Sequence, residues 1–320
     1  MDQRRLGRSE LSIAPLVLGT NVMGWTADER TSFAVLDAFI DHGFNAVDTA
    51  DVYSRWVKGN DSESERIIGR WLRERRNRDK VVLMTKVGSD LGEDRKGLSA
   101  AYIAQAVDAS LRRLQTDYID LYQSHWPDPA ISHEETLEAY GKLIKAGKVR
   151  VVGASNYDED LLNGAIKAGA DNPELPRYET VQNEFNLYTR DKMQGAVQDL
   201  VIREGMSAIT YYGLASGFLS GKYRTETDLK QSVRGEGSIP KYMNEKGFSA
   251  LAALDTVGER IGAAPAEIAL AWVAAQPGIA APIASATSRT QLESLVRGAR
   301  LALDAESLAL LDAAGQAPTS

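Results

Sequence analysis

Short apolar runs rich in Val, Ile and Leu alternate along the chain with longer stretches in which apolar residues recur at helical spacing. The short runs suit strands buried on both faces, and the longer stretches suit helices with one buried face. Repetition of the two is the pattern of successive βα units. Eight strands are predicted, at 16–19, 46–49, 81–86, 118–123, 149–153, 180–183, 207–211 and 279–283. Helices are predicted between and after them, among them 63–75, 99–114, 136–146, 192–204, 248–261, 265–275 and 289–299. In 99–114, Ala101, Ile103, Ala106, Ala109, Leu111 and Leu114 repeat near the helical period and are expected to face the sheet.

Eight βα units in 320 residues predict one (β/α)8 TIM barrel, a fold of about 250 residues plus insertions, with residues 1–320 as a single domain. No short-period repeat and no linker argues for a second folding unit. Two short stretches, 4–6 and 11–13, flank Gly7-Arg8-Ser9 and predict an N-terminal hairpin capping one barrel mouth. Extra loops and helices are expected at the C-terminal end. One of these is 223–247, which is polar, contains Gly235, Gly237 and Pro240, shows no period, and reads as a long loop over the active face. The rival architecture is a doubly wound open sheet. It normally carries Gly-x-Gly-x-x-Gly after its first strand, which Leu18-Gly19-Thr20-Asn21-Val22-Met23-Gly24 does not supply.

Composition narrows the classes of function. With 43% hydrophobic and 25% charged residues, the chain can bury a large core. A net charge of −7 with no basic block argues against nucleic acid as a partner. There is no cysteine, hence no disulfide framework and no thiol nucleophile. Residues 1–13 are charged and unlike a signal peptide, and no run of 18 apolar residues suggests a membrane span, so a cytoplasmic protein is expected. His42, His125 and His133 are the only imidazoles and form no ligand pair, so no metal is expected.

Barrel enzymes carry their chemistry at the C-terminal ends of the strands. Here those ends read Asp48-Thr49-Ala50-Asp51-Val52-Tyr53, Met84-Thr85-Lys86-Val87-Gly88 and Leu121-Tyr122-Gln123-Ser124-His125-Trp126. One mouth thus receives an acid, a phenol, an amine and an imidazole. A carbonyl becoming an alkoxide needs a proton, and a Tyr with pKa about 10 holds one but gives it up sluggishly. Lys86 at about 4 Å could supply on the order of 4 kcal/mol of charge interaction and bring Tyr53 toward neutrality. Asp48 would keep Lys86 charged, and a neutral His125 would orient the carbonyl oxygen or share the proton.

With Asp48, Tyr53, Lys86 and His125 at these spacings and within these local motifs, the chain resembles the aldo-keto reductase superfamily from about residue 11 to 313. The resemblance implies a catalytic tetrad of these four residues and hydride delivery from C4 of a bound nicotinamide, with the tyrosine protonating the substrate oxygen. It implies NADPH (NADP+) as cofactor, with Ser155, Asn156 and Gln182 at the nicotinamide amide and Tyr211 stacked on the ring. Gly213, Leu214, Ser216, Gly217 and Lys222 match the pyrophosphate loop. Gly19, Thr20, Asp48 and Gln291 are also assigned to the cofactor by resemblance. Ser288 and Arg289, at the start of a predicted helix, suit an adenosine 2′-phosphate, because a helix N-terminus and a guanidinium both attract it. A capping serine followed by a surface arginine reads the same pair differently.

The chain departs from common family features at four places: Ser54 and Gly213 stand where relatives often have Gly and Pro, and Ser285 and Leu295 where they often have Gly and Asn. Trp25, Trp56 and Trp126, with Tyr53 and His125, are the candidate substrate contacts; the tryptophans read equally as lid packing. The expected activity is NADPH-dependent reduction of a small-molecule aldehyde or ketone by a monomer or homo-oligomer. The alternative is an NADPH-binding, redox-sensing subunit that regulates a partner protein. A metal-dependent barrel hydrolase lacks the ligands.

Overall fold

The computed structural model describes residues 2–92, 94–232 and 235–314. Among these, β1 (Arg4–Arg5) and β2 (Ser12–Ile13) pair antiparallel as the predicted hairpin. Eight parallel strands close a barrel: β3 (Val17–Gly19), β4 (Ala46–Asp48), β5 (Val82–Val87), β6 (Ile119–Ser124), β7 (Val149–Ser155), β8 (Thr180–Gln182), β9 (Ser207–Thr210) and β10 (Ile279–Ala284). Their order follows the chain, with β10 closing onto β3, as expected of the TIM barrel.

Six helices lie between the first seven of these strands: α1 (Glu29–Asp41), α2 (Glu63–Arg75), α3 (Ala100–Leu114), α4 (His133–Lys145), α5 (Glu159–Asp171) and α6 (Ala196–Arg203). Then come α7 (Gly235–Ser238), α8 (Glu245–Ile261) and α9 (Pro265–Ala275) before β10, and α10 (Arg289–Arg300) and α11 (Ala305–Ala313) after it.

Caps explain where the helices begin. α4 starts three residues before the predicted 136 because the Ser132 hydroxyl accepts the Glu135 N–H. α6 starts later than the predicted 192, after Gly195 at φ 91°. The buried face of α3 is Tyr102, Ile103, Ala106, Val107, Ser110 and Leu114. Ala101 is exposed, and Ala109 and Leu111 are only partly buried, so the expected stripe is rotated by about one residue. The 223–247 segment is not a featureless loop. It holds 3₁₀ turns at Glu226–Gln231 and Pro240–Tyr242, contains α7, runs into α8, and buries Tyr223, Ile239 and Tyr242; Val233 and Arg234 lie outside the described residues.

Strand alternation builds the site. Residues two apart on a strand share a face. Apolar side chains fill the lower interior: Val17, Ala46, Met84, Leu121, Val151 and Ile209 cluster with Leu6, Leu11 and Ile13 of the hairpin, which plug the N-terminal mouth. One step up on the same face, five of the strands turn polar or small: Val17 leads to Gly19, Ala46 to Asp48, Met84 to Lys86, Leu121 to Gln123 and Val151 to Gly153. The register sets Gly19 beside Asp48 and Lys86 beside Gln123.

Candidate functional site

At the C-terminal mouth Lys86 organises the polar layer. Its Nζ donates to Asp48 Oδ2 at 2.5 Å, to the Thr49 carbonyl at 2.8 Å and to the Tyr53 hydroxyl at 3.2 Å. All three ammonium protons are thereby placed. The other Asp48 oxygen accepts from Gln182 Nε2 at 3.1 Å and Gln123 Nε2 at 3.4 Å, and Gln182 also donates to Gln123 Oε1 at 3.3 Å. A charge pair this deep is tolerated because its remaining valences are satisfied.

His125 closes the fourth side. Its ring stands edge-on to Tyr53, centroids 5.9 Å apart, and Nδ1 meets the Ser89 hydroxyl at 2.9 Å. Burial first, and the charge of Lys86 second, hold the imidazole well below its ordinary pKa, so the ring is neutral. Burial also opposes the charge on Lys86, but Asp48 and Tyr53 outweigh it and its pKa is raised. Tyr53 departs from expectation. Burial raises its pKa, the opposing pull of Lys86 recovers only part of that, and the phenol is a weaker acid than free tyrosine. The Lys86 attraction expected from the sequence comes with a desolvation of the phenol that exceeds it.

The other predicted residues fall into groups. Asn156 Nδ2 donates to the His125 carbonyl at 2.9 Å, and Asn156 Oδ1 accepts from the Tyr211 hydroxyl at 2.6 Å. Ser155 Oγ donates to the Gln182 carbonyl at 2.9 Å, and Thr20 Oγ1 donates to the Asp48 carbonyl at 2.9 Å. Ser155, Asn156, Gln182, Tyr211, Thr20 and Gly19 are therefore brought to the cluster of Asp48, Tyr53, Lys86 and His125. Tyr211 itself follows β9 through an isolated bridge to Glu184.

Beyond β9 the chain turns sharply: Tyr212, Ala215, Ser216 and Gly217 all have positive φ, at 57°, 47°, 59° and 101°. Gly213 is buried, Leu214, Ser216 and Gly217 are partly exposed, and Lys222 is exposed. At α10, Ser288 caps the Gln291 N–H, Gln291 Oε1 accepts the Thr287 N–H at 2.8 Å, and the Arg289 side chain is 71% exposed. Ser285, preceding them, donates to Asn21 Oδ1 at 2.9 Å, and a Cβ on Gly19 would come within 2.9 Å of its hydroxyl. No contact links Lys222, Ser288 or Arg289 to the four central residues among those described.

The aromatic candidates meet. Trp25 and Trp56 pack edge-on at 5.6 Å, Trp56 reaches the Tyr53 ring at 6.4 Å, and Trp126 stacks on His125 at 6.0 Å. Trp56 and Trp126 are each half exposed, unusual for indoles that serve only to pack. Ser54 takes the left-handed conformation natural to glycine, φ 67°, with its hydroxyl donating to the Met23 carbonyl at 2.6 Å. That bond ties the Tyr53 loop to the turn carrying Trp25.

Sequence reasoning passed over Ser89, Gln123 and Asp51. The signal for Gln123 was a polar residue on the same strand face as the apolar Ile119 and Leu121. Asp51 and Ser89 were visible only as polar residues beyond strand ends. Among the described residues, no group of three or more His, Cys, Asp or Glu is arranged to hold a metal, and no helix is long and apolar enough to cross a membrane.

Comparison with known proteins agrees with this geometry. The family model described as Aldo/keto reductase family matches residues 15–316. The chain is 31% identical to Protein tas of Escherichia coli over 344 residues, covering 100% of this chain and 99% of that protein. It is 33% identical to Aldo-keto reductase YhdN of Bacillus subtilis, over 90% of this chain and 84% of that one. It is 29% identical to a probable voltage-gated potassium channel subunit beta of Arabidopsis thaliana, over 92% and 89%. A closed parallel barrel, an acid, lysine and tyrosine joined at its mouth, and a family match along nearly its whole length make this chain a member of the aldo/keto reductase family, an oxidoreductase acting on carbonyl groups.

Proposed function

We propose that the protein reduces an aldehyde or ketone with NADPH, using Tyr53 as the proton donor. The observation that carries this reading is the single ammonium of Lys86 bonded at once to Asp48 and Tyr53. A phenolate forming on Tyr53 during proton transfer would meet a cation already in place, with no reorganisation cost at that moment. Asp48, held by Gln182 and Gln123, keeps that cation oriented. A neutral His125 can donate to the carbonyl oxygen without competing as a charge.

The residues of the mouth suit a nicotinamide dinucleotide. Asn156 and Gln182 offer amide groups, and Tyr211, pinned through its hydroxyl, offers a fixed ring face. The exposed Arg289 beside the capped start of α10 matches a phosphate monoester, which supports NADPH over NADH. The cofactor supplies the hydride. The chain holds the carbonyl between His125 and Tyr53 and delivers the proton. Trp25, Trp56 and Trp126 line the approach with apolar surface for the rest of a small-molecule substrate.

The test is Tyr53→Phe, which removes the transferable proton and keeps the ring. NADPH binding should stay within about twofold while reduction falls by at least about a hundredfold. Unchanged turnover would remove Tyr53 from the role. The regulatory reading, an NADPH-binding subunit acting through a partner, is favoured by the channel-subunit relative. It predicts tight NADPH binding with negligible turnover on any carbonyl.

A further inference from the structure

Behind the tetrad lies a carboxyl that this chemistry leaves unused. Asp51, between β4 and Tyr53, is 1% exposed, and neither of its carboxylate oxygens makes a well-formed hydrogen bond or meets a side-chain donor; among the described residues the adjacent Val52 N–H is the one donor that approaches them. An ionised carboxylate in such a place is costly unless paired. It faces Glu65 of α2, Arg113 and Tyr102 of α3, Lys86 of β5, Tyr122 of β6 and Tyr140 of α4, with Arg55 from its own loop. The cations are already engaged. Arg113 Nε holds Glu65 at 2.6 Å, Arg55 holds Asp61 and the Leu91 carbonyl, and the three Lys86 protons are placed as described.

Asp48, Asp51 and Glu65 therefore share the charges of the buried Lys86 and the partly buried Arg113, three acids against two bases. Fully ionised, this core would carry one uncompensated negative charge; one retained proton makes it neutral. The carboxyl with no side-chain donor is the one to keep it. We propose that Asp51 is a positioning residue, a neutral acid behind the tetrad whose lack of charge leaves the field of Lys86 to act on Tyr53.

Burial first, and Glu65 second, push Asp51 up to about 8, in line with this charge count. Release of its proton adds a negative charge that competes for Lys86 and opposes phenolate formation. Tyr53 then becomes a still weaker acid and reduction slows. The inference rests on Tyr53 being the proton donor.

Asp51→Asn fixes the neutral form. Its kcat for reduction should match wild type within about twofold at pH 6.5 and exceed it by roughly three- to tenfold at pH 9, because only wild type ionises at this position. Parallel pH profiles would overturn the proposal. Glu65→Gln removes the like charge and frees Arg113, so the alkaline decline should move to lower pH; an unmoved decline counts against it. Infrared spectroscopy of the wild-type protein reads the carboxyl without turnover. A neutral-carboxyl stretch should be present at pH 6.5, fade by pH 9 and be missing from Asp51→Asn. Absence of that band with reduction intact defeats the Asp51 role alone, whereas wild type that shows the band but reduces nothing defeats the reductase reading on which the role depends.

Discussion

The Ser89 hydroxyl lies within hydrogen-bond reach of His125 Nδ1, a contact that can set the tautomer of the ring. A neutral imidazole has one N–H, and which nitrogen carries it depends on the partner of the other. If the Ser89 hydroxyl, 2.9 Å from Nδ1, is the donor, the ring proton sits on Nε2, the nitrogen that would serve the carbonyl oxygen in the proposed reaction. Ser89→Ala leaves the ring buried but releases the tautomer. One hydrogen bond is worth about 1 kcal/mol, so kcat should fall roughly fivefold with cofactor affinity unchanged. Steady-state kinetics with direct titration of NADPH check this, and an unaltered kcat would show that Ser89 does not set the tautomer. At this scale the meeting of Asp48, Tyr53, Lys86 and His125 at one mouth was legible because each stands on a strand end or in the segment that follows one. The acidity of Tyr53 was not, because its sign depends on how much water burial removes, and spacing carries no information about burial.

α2 and α9 fall on the residues the pattern predicts although neither opens on an N-cap side-chain bond, α9 starting instead on Pro265, and α10 begins at Arg289, where Ser288 caps the Gln291 N–H. Boundaries moved where capping chemistry outranked the apolar pattern, as at Ser132 and Gly195. The strand ends shifted by one or two residues, since residues just past them, such as Thr49 and Asn183, are as buried as the strands themselves. The start of α10 carries its own prediction. If Arg289 reads the 2′-phosphate, Arg289→Ala should weaken NADPH by about tenfold and NADH by less than about twofold. Titration by quenching of tryptophan fluorescence measures both. Equal losses would make Arg289 the surface residue that helix-end statistics also allow.

The whole molecule joins an apolar floor to a polar rim. The hairpin residues Leu6, Leu11 and Ile13 fill the N-terminal mouth, at the opposite end from the tetrad. Leu11→Ala should therefore cost about 2–4 kcal/mol of stability with kcat within about twofold of wild type. Urea unfolding followed by circular dichroism tests the first part, and a large loss of kcat in folded protein would contradict the separation of floor and rim. Sequence alone could not supply the cross-barrel contacts. Gln182 reaches Asp48 across 134 positions, and only barrel closure makes those two side chains neighbours.

The most direct measurement is the loss of nicotinamide absorbance when wild type and Tyr53→Phe each meet NADPH with a panel of aliphatic and aromatic aldehydes and cyclic ketones. Wild type should turn over at least one carbonyl, and Tyr53→Phe should lose nearly all reduction while still binding NADPH. Turnover by Tyr53→Phe equal to wild type would remove Tyr53 as the donor, and tight NADPH binding by wild type with no carbonyl reduced would overturn the proposed reduction.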